Sequence, residues 1–200
     1  MQRGRRGSGS KRQPESKSSG KQTRGKEYRA NFLRIKIISM GPLGCGKSCL
    51  IKRFCEERFV SKYISTIGID YGVKPTKVDG MEVRVNFWDL SGHPDFFEIR
   101  NEFYRDAQGA ILVFDVTNRA SFQSLDEWID EGAKFGARDM PVIVCANKID
   151  KPKRVVQEDE GYNWAMSRGY EYFETSAQSG ASVKEVFETL FSRAVENLPS

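Results

Sequence analysis

Several features are scarce in this chain of 200 residues, and each absence narrows what the protein can be. No apolar run is long enough to span a bilayer, and the N-terminal segment lacks the apolar core of a signal peptide. The four cysteines, Cys45, Cys49, Cys55 and Cys145, have neither zinc-ligand spacing nor the density of a secreted disulfide scaffold. We therefore expect an intracellular, cytoplasmic protein with reduced thiols.

Apolar and acidic side chains are both scarce in residues 1–30. This segment contains ten Lys or Arg, two Glu and one aromatic residue, Tyr28. Its charge of +8 leaves −3 for residues 31–200, because the whole chain carries +5. Such a segment cannot bury enough surface to fold, so we predict a disordered basic arm (1–30) and one folded domain (31–200). A solvated tail, anionic lipid contact, nuclear import and loose nucleic-acid contact are all compatible with the arm.

Residues 41–48, Gly-Pro-Leu-Gly-Cys-Gly-Lys-Ser, fit the phosphate-binding loop G-x-x-x-x-G-K-[ST]. The apolar residues 33–40 before the loop predict a buried parallel strand, and the residues after it predict a helix. Backbone N–H groups and the helix dipole would then face a phosphate. We expect Lys47 to reach the β- and γ-phosphates and Ser48 to bind Mg²⁺. The alternative is a glycine-rich turn that binds nothing.

Hydrophobic patterns after the loop predict alternating strands and helices. Further strands are expected around 69–73, 81–87, 110–116, 141–146 and 172–173, and helices around 122–129, 159–167 and 183–195. Asp79-Gly80 predicts a tight hairpin, and Ser182-x-x-Glu185 predicts a capping box before the last helix. Residues 91–106 show no clean period. The pattern predicts an α/β fold: a doubly wound, mostly parallel six-stranded sheet with one antiparallel edge hairpin, and a ligand site at the carboxyl ends of its strands.

Two further motifs follow in order: Asp89-Leu-Ser-Gly92, and Asn147-Lys-Ile-Asp150 about 100 residues beyond the phosphate loop. With them, residues 33–198 resemble the small GTPases of the Ras superfamily. The resemblance implies a P-loop G domain, with GTP or GDP and Mg²⁺ as its ligands. A fixed carboxylate such as Asp150 can accept hydrogens from N1 and the 2-amino group of guanine, a charged pair of bonds that adenine cannot make.

The resemblance also implies roles around the base. Asn147 would brace its loop, and the Lys148 stem would cover the base. Ser176-Ala177-Gln178 resembles the last nucleotide loop, with the Ala177 N–H at the guanine oxygen, although the family often has Lys where Gln178 stands. Phe59 matches the aromatic ring that packs against the guanine edge.

At the phosphate end, the resemblance implies that Thr66 and Asp89 join Ser48 at Mg²⁺, Asp89 through water. Thr66 would bind the metal only when the γ-phosphate is present, and the Gly92 N–H would contact that phosphate. The remaining nucleotide contacts are expected from the phosphate loop and its helix, at Gly41, Leu43, Gly44, Cys45, Gly46, Lys47 and Cys49. The groups expected to act in hydrolysis are His93, Gly92 and Lys47.

Residues 67–71, Trp88-Asp89 and residues 103–107 resemble the Rab branch, whose hydrophobic effector triad is matched by Tyr71, Trp88 and Phe103. Ser91-Gly-His-Pro94 and residues 145–150 narrow the resemblance to the RJL (RabJ) subfamily. Some RJL members carry a C-terminal J domain. Since the chain ends at Ser200, we expect none here, and we interpret the J-domain tripeptide His93-Pro-Asp as coincidence.

Two positions depart from the family's catalytic pattern. His93, the only histidine, stands where Gln usually orients the attacking water, and Leu43 stands where the loop usually has a small residue. A branched side chain beside the γ-phosphate should obstruct both that group and a partner's arginine finger, which is worth about 10³–10⁵ in rate. His93 either orients water, as His does in translation GTPases, or is an exposed switch residue without a catalytic role. We predict a slow GTPase biased toward its GTP form.

Lipid anchoring is not expected, because no cysteine lies beyond Cys145 and Gln2 excludes N-myristoylation. We expect a monomer whose switch loops bind effectors and regulators, and whose residues 1–30 contact membranes or partners electrostatically. A nuclear or cilium-linked location is compatible with the arm and with the RJL resemblance.

Three rival functions share part of the pattern. A binding module that holds GTP constitutively would have every nucleotide motif. An ATP-using P-loop kinase would share the phosphate loop, but Asp150 argues against it. A basic nucleic-acid binder is suggested by residues 1–30 alone, so we expect no nucleic-acid partner.

Overall fold

One mixed sheet organises the part of the chain that the computed structural model describes, residues 32–59, 61 and 64–199. Its strands are β1 (Leu33–Met40), β2 (Ile69–Val78), β3 (Met81–Leu90), β4 (Gly109–Asp115), β5 (Val142–Asn147) and β6 (Glu171–Thr175). They lie in the order β2-β3-β1-β4-β5-β6. Only β2 and β3 pair antiparallel within this sheet. The predicted α/β fold, with six strands and one antiparallel edge hairpin, is confirmed.

The helices within the same residues flank this sheet. They are α1 (Lys47–Glu56), α2 (Phe97–Asn101), α3 (Arg119–Gln123), α4 (Leu125–Lys134), α5 (Glu158–Met166) and α6 (Val183–Glu196). The helix predicted around 122–129 is in fact two, which meet at Ser124. Residues 91–106, which lack a sequence period, contain a short 3₁₀ turn at Pro94–Phe96 followed by α2. None of the described helices combines the length and apolar character needed to cross a membrane.

The capping box predicted at Ser182 is wrong. Ser182 has φ 53° and its side chain caps no N–H of α6. The preceding loop is closed by its own backbone bonds, from Ser176 N to Ala181 O (3.2 Å) and from Gly180 N to Ser176 O (2.8 Å). These bonds fix the approach of the chain to α6 and leave Ser182 in the left-handed region, where the box cannot form. Glu185 still lies in the first turn, where its charge suits the helix dipole.

Alternate side chains of the central strands enter two cores, one on each face of the sheet. Ile111 and Val113 of β4 pack in the core that contains α1 and α6 residues. Leu112 and Phe114 pack in the core that contains α4 and α5 residues. Because both faces are covered, every residue of β4 is buried, which explains its continuous apolar sequence.

Strand register collects polar residues at one edge of the sheet. Ser39 of β1 pairs with Asp89 of β3, and Asn147 of β5 pairs with Asp115 of β4 and Thr175 of β6. These residues lie at the carboxyl ends of parallel strands, the edge at which α/β sheets bind ligands. The predicted basic arm, residues 1–30, lies outside the described residues, and the division of the chain at residues 30 and 31 stays a prediction.

Replacing Phe187 with Ala should lower the free energy of unfolding by about 3–5 kcal/mol, because it removes a buried ring from a close-packed core. Phe187 is 0% exposed, and its ring centroid lies 4.7 Å from that of Phe54 and 5.6 Å from that of Phe87. Urea denaturation followed by circular dichroism, at fixed nucleotide concentration, measures the change. Lys184→Ala on the same helix, where the side chain is 76% exposed, should shift stability by no more than about 0.5 kcal/mol. Equal effects of the two changes would contradict the assigned core.

Candidate functional site: a nucleotide cleft at the strand ends

The phosphate loop between β1 and α1 fits closely against neighbouring strands. Gly41 has φ 133°, and a Cβ there would lie 2.2 Å from Val113 O. Gly46 has φ 106°, and a Cβ there would lie 2.2 Å from Asn147 Nδ2. Both backbone conformation and space therefore require glycine at these two positions.

The helix that follows the loop offers its N-terminus to an anion. It begins at Lys47, preceded by Gly46, with no side-chain cap and no acidic residue in its first turn. Such an end leaves backbone N–H groups and the positive end of the helix dipole available. The Lys47 side chain is buried, and its Nζ donates to the carbonyls of Gly41 (2.7 Å) and Pro42 (3.2 Å). A fixed cation thus lies along the inner side of the loop.

Three oxygen-bearing side chains from separate segments converge beside Lys47. Ser48 Oγ lies 2.9 Å from Thr66 Oγ1 and 2.5 Å from Asp89 Oδ2, and Thr66 Oγ1 donates to the same Asp89 oxygen at 3.3 Å. Two hydroxyls and a carboxylate are hard oxygen donors of the kind that Mg²⁺ prefers, and few protein ligands suit an ion that keeps several waters. These residues therefore fit Mg²⁺.

Ser39, which was not predicted as a site residue, binds the Asp89 carboxylate oxygen that does not contact Ser48 or Thr66. Ser39 is fully buried, its Oγ donates to Asp89 Oδ1 at 2.7 Å, and it accepts from Leu90 N at 3.1 Å. One carboxylate oxygen is thereby fixed and the other is directed toward Ser48 and Thr66. The available clue was a hydroxyl in the apolar end of the first strand.

Asn147 joins three segments of the chain that border the cleft. Its Nδ2 donates to Cys45 O at 2.9 Å. Its Oδ1 accepts from the Ala177 N–H and from Thr175 Oγ1, each at 3.3 Å. The Asn147 side chain is almost fully buried, so these bonds are shielded from water and hold the two loops in register.

Lys148 is positioned by a carboxylate that the sequence analysis also missed. Its Nζ donates to Gly44 O at 2.7 Å and lies 2.6 Å from Asp115 Oδ2. Asp115 is buried at the end of β4, and its other oxygen accepts from Thr117. An acidic residue at the end of a fully apolar strand was the sequence clue.

Asp150 lies at the cleft with its orientation fixed by one hydrogen bond. Ser176 Oγ donates to Asp150 Oδ1 at 2.6 Å. This bond gives a solvent-exposed carboxylate a defined direction and links it to the 176–178 loop.

The cleft has a volume of about 250 Å³. Most of the predicted nucleotide residues line it: Leu43, Gly44, Gly46, Lys47, Ser48, Cys49, Phe59, Thr66, Gly92, Asn147, Lys148, Asp150, Ala177 and Gln178. Gly41, Cys45, Asp89 and Ser176 do not line it but contact residues that do. Lys52, Ser61, Ile64, Ser91 and Lys151 also line it and were not predicted. The roles assigned to the predicted residues stay predictions.

His93, predicted to act in hydrolysis, does not line the cleft either. Its Nδ1 accepts from Asp95 N at 3.2 Å and caps the 3₁₀ turn, and the imidazole is 39% exposed. Leu43 does line the cleft, with 44% of the residue exposed. The steric role predicted for Leu43 beside a γ-phosphate stays a prediction.

The four cysteines are free thiols, as the sequence predicts. Burial raises the pKa of Cys45 and Cys145, so both stay protonated at neutral pH. Cys49 and Cys55 are partly buried, and burial raises the pKa of each.

The predicted effector triad forms one continuous aromatic cluster. The ring centroid of Trp88 lies 4.6 Å from that of Tyr71 and 4.9 Å from that of Phe103. Tyr71 is about half exposed, so the cluster reaches the surface between β2 and the 91–106 segment.

The fold and the cleft together define a P-loop nucleotide-binding domain, and comparison with known proteins narrows this class. The family model described as "Ras family" matches residues 36–196. The chain therefore belongs to the Ras family, which confirms the predicted superfamily.

Relatives agree with the narrower resemblance to the RJL subfamily. The chain is 54% identical over 166 residues to DnaJ homolog subfamily C member 27 of Danio rerio, covering 80% of this chain and 61% of that protein. It is 54% identical to the Rattus norvegicus protein of that name and 53% to the Homo sapiens one, over 170 residues each, covering 82% of this chain and 62% of each relative. The matched region thus spans about three-fifths of these relatives, and the expected lack of a J domain stays a prediction.

Replacing Ser39 with Ala should weaken Mg²⁺ binding by about 10- to 100-fold, since groups that orient a metal ligand typically contribute that much. Nucleotide release from the full chain, measured against Mg²⁺ concentration, gives the midpoint. Ser192→Ala removes a surface hydroxyl that donates to Asp79 and should leave the midpoint unchanged. An unchanged midpoint for Ser39→Ala would contradict the support assigned to Ser39.

Proposed function

We propose that this Ras-family domain is a Rab-like molecular switch that binds GTP and GDP with Mg²⁺ and hydrolyses GTP slowly. The observation that carries the proposal is the convergence of Ser48, Thr66 and Asp89 at a cleft that Asp150 also lines. The first three residues would hold Mg²⁺, which supplies charge neutralisation to the phosphates. Asp150 would select the base.

Guanine selection follows from the fixed direction of the Asp150 carboxylate. Ser176 Oγ donates one hydrogen bond to Asp150 Oδ1. The carboxylate retains further lone pairs that can accept the N1–H and 2-amino hydrogens of guanine. The Ala177 N–H, which donates to Asn147 at 3.3 Å, lies on the same loop and would contact the guanine oxygen. Lys148 and Phe59, which both line the cleft, would enclose the base.

Switching would depend on Thr66, which precedes β2 rather than lying within a strand. Its side chain is held here by hydroxyl and carboxylate neighbours from α1 and β3. In the GTP form, Mg²⁺ would order Thr66, and the Gly92 N–H would gain a hydrogen bond to the γ-phosphate. Hydrolysis would remove both contacts and release Thr66. Tyr71, Trp88 and Phe103 lie beside both segments and would present the changed surface to effectors and regulators.

Slow hydrolysis is supported by Leu43 and by the geometry of His93. Leu43 lines the cleft, where its side chain would crowd the attacking water and any arginine supplied by a partner. His93 is engaged as a helix cap through Nδ1, which leaves Nε2 as the ring nitrogen available for orienting water. Whether His93 orients water or has no catalytic role, we expect GTP hydrolysis to be slower than at a site where an unobstructed glutamine orients the water.

The proposal also covers the basic arm, the oligomeric state and the cellular location. Residues 1–30 would contribute electrostatic contact with a membrane or partner, and the domain would act as a monomer in the cytoplasm, with a nuclear or cilium-linked address as alternatives. A module that holds GTP without cycling is the second candidate function, and the unusual Leu43 favours it.

Asp150→Asn should raise the Kd for GDP by about 100-fold, because hydrogen bonds to charged groups contribute about 1.5–3 kcal/mol each. Affinity for ADP should not change, and xanthosine diphosphate should bind better because Asn offers a donor to its 2-oxo group. Competition against a fluorescent guanine nucleotide measures all three. Asp130→Asn, at an exposed position of α4, should behave as the parent. An ATP-using kinase or a nucleic-acid binder would show no preference for GDP over ADP in the parent protein.

Leu43→Gly should raise the single-turnover rate of GTP hydrolysis by about 10- to 100-fold, on the scale of rate lost when reacting groups are displaced by about 1 Å. Leu43→Ala should raise it less, since a methyl group remains. GTP affinity, measured in parallel, should change little because backbone N–H groups rather than this side chain bind phosphate. A measurable rate in the parent would exclude the non-cycling module. Unchanged rates in both variants would contradict the steric explanation.

A further inference from the structure

Arg100 of α2 is a buried cation in the segment that follows Gly92. It is 5% exposed. Two nitrogens on one edge of its guanidinium pair with Glu131 of α4, with Nε 2.5 Å from Oε1 and Nη2 2.7 Å from Oε2. A bidentate pair of this kind fixes the plane of the guanidinium as well as its position.

The remaining nitrogen of Arg100 faces the loop that carries Gly92. Nη1 donates to His93 O at 3.0 Å and contacts Ser91 O at 3.4 Å. These two carbonyls belong to the residues on either side of Gly92. Ser91 O belongs to the peptide group that carries the Gly92 N–H, so one side chain ties that group and the backbone at His93 to α4.

The helix side of this connection is rigid. Tyr104, which is fully buried, donates to Glu131 Oε1 at 2.7 Å. The Arg100 guanidinium also lies 4.6 Å from the centroid of the Trp128 ring, a favourable cation–π position. Burial opposes the charge on Arg100, but hydrogen bonding and attraction to Glu131 outweigh it and the pKa of Arg100 is raised.

On its other side, Gly92 is in contact with the phosphate loop. A Cβ at Gly92 would lie 2.4 Å from Leu43 N and 2.4 Å from Pro42 C. Ser91 N additionally donates to Gly68 O at 2.9 Å, which ties the loop to the start of β2. Residues 91–93 are thus held between α4, the phosphate loop and β2.

We propose that Arg100 is a positioning residue that holds the Gly92 peptide against the phosphate loop before the γ-phosphate is bound. This role presupposes the GTP-binding switch proposed above and adds a cause for its bias toward GTP. A loop that is already ordered pays no conformational entropy when GTP binds, whereas GDP makes no use of it. Ordering one or two backbone residues corresponds to about tenfold in affinity.

The alternative is that the Arg100–Glu131 pair only joins α2 to α4. In that case its loss would affect the stability of the domain and would act equally on GDP and GTP. The two roles are therefore separated by the ratio of the two affinities rather than by either affinity alone.

The test is a double variant, Arg100→Met with Glu131→Gln, in the full chain. It removes the cation, leaves no unpaired buried charge, and keeps an acceptor for Tyr104. We expect the Kd for a non-hydrolysable GTP analogue with Mg²⁺ to rise about tenfold, while the Kd for GDP stays within about twofold. Hydrogen exchange of residues 91–103 should be slow in the GDP-bound parent and fast in the GDP-bound variant.

Two further variants keep the result interpretable. Arg100→Lys retains the charge but cannot bind the carboxylate and two carbonyls together, so it should lose most of the same GTP preference while remaining folded. Arg168→Met is the matched control, because Arg168 makes a bidentate pair with Asp126 of the same α4 helix at the surface (2.7 and 2.8 Å). It should leave both affinities unchanged.

Each remaining outcome counts against a stated claim. An equal rise in both Kd values, or a loop protected in the GDP-bound variants as in the parent, would overturn the positioning role while leaving the switch intact. A parent in which residues 91–103 become protected only with the GTP analogue would overturn it as well. A parent that binds neither nucleotide would instead overturn the proposed function.

Discussion

The nucleotide cleft depends on the buried side-chain amide of Asn147. It bonds to the phosphate loop at Cys45 and to the 176–178 loop at Ala177, which lie 102 and 30 residues away in sequence. A single amide bonds to both, since its nitrogen donates to one loop and its oxygen accepts from the other. Water cannot compete at a group that is almost fully buried. The Asn147 amide therefore fixes the position of the phosphate loop relative to the 176–178 loop.

The two segments that border the γ-phosphate region are held in different ways. Among the described residues, the side chain of Thr66 bonds to Ser48 and Asp89, which would themselves bind Mg²⁺, so we expect its position to depend on the ligand. Residues 91–93 are held by Arg100, which is anchored on α4 independently of any ligand. In the proposed switch, the Thr66 segment would therefore respond to nucleotide while residues 91–93 stay in place.

The fold could be predicted from the sequence because its strands are continuous apolar runs and its loops carry motifs of fixed length. The site residues Lys47, Asp89, Asn147 and Asp150 belong to such motifs, and the sheet edge brings them together. Ser39, Asp115 and Arg100 could not be predicted as supporting residues, because each acts on a partner distant in sequence. The Ser182 capping box failed for a related reason. The 176–182 loop closes on itself and imposes a backbone conformation that local preference does not anticipate.

The indole of Trp128 lies where both charged elements of the site can be observed. The Arg100 guanidinium is 4.6 Å from its ring centroid, and Lys47 Nζ is 5.9 Å away. Nearby cations shift the excited-state energy of an indole in proportion to their field. In a variant whose other two tryptophans, Trp88 and Trp164, are replaced with Phe, the ultraviolet emission of Trp128 would therefore report on the phosphate loop and the 91–103 segment without an attached dye.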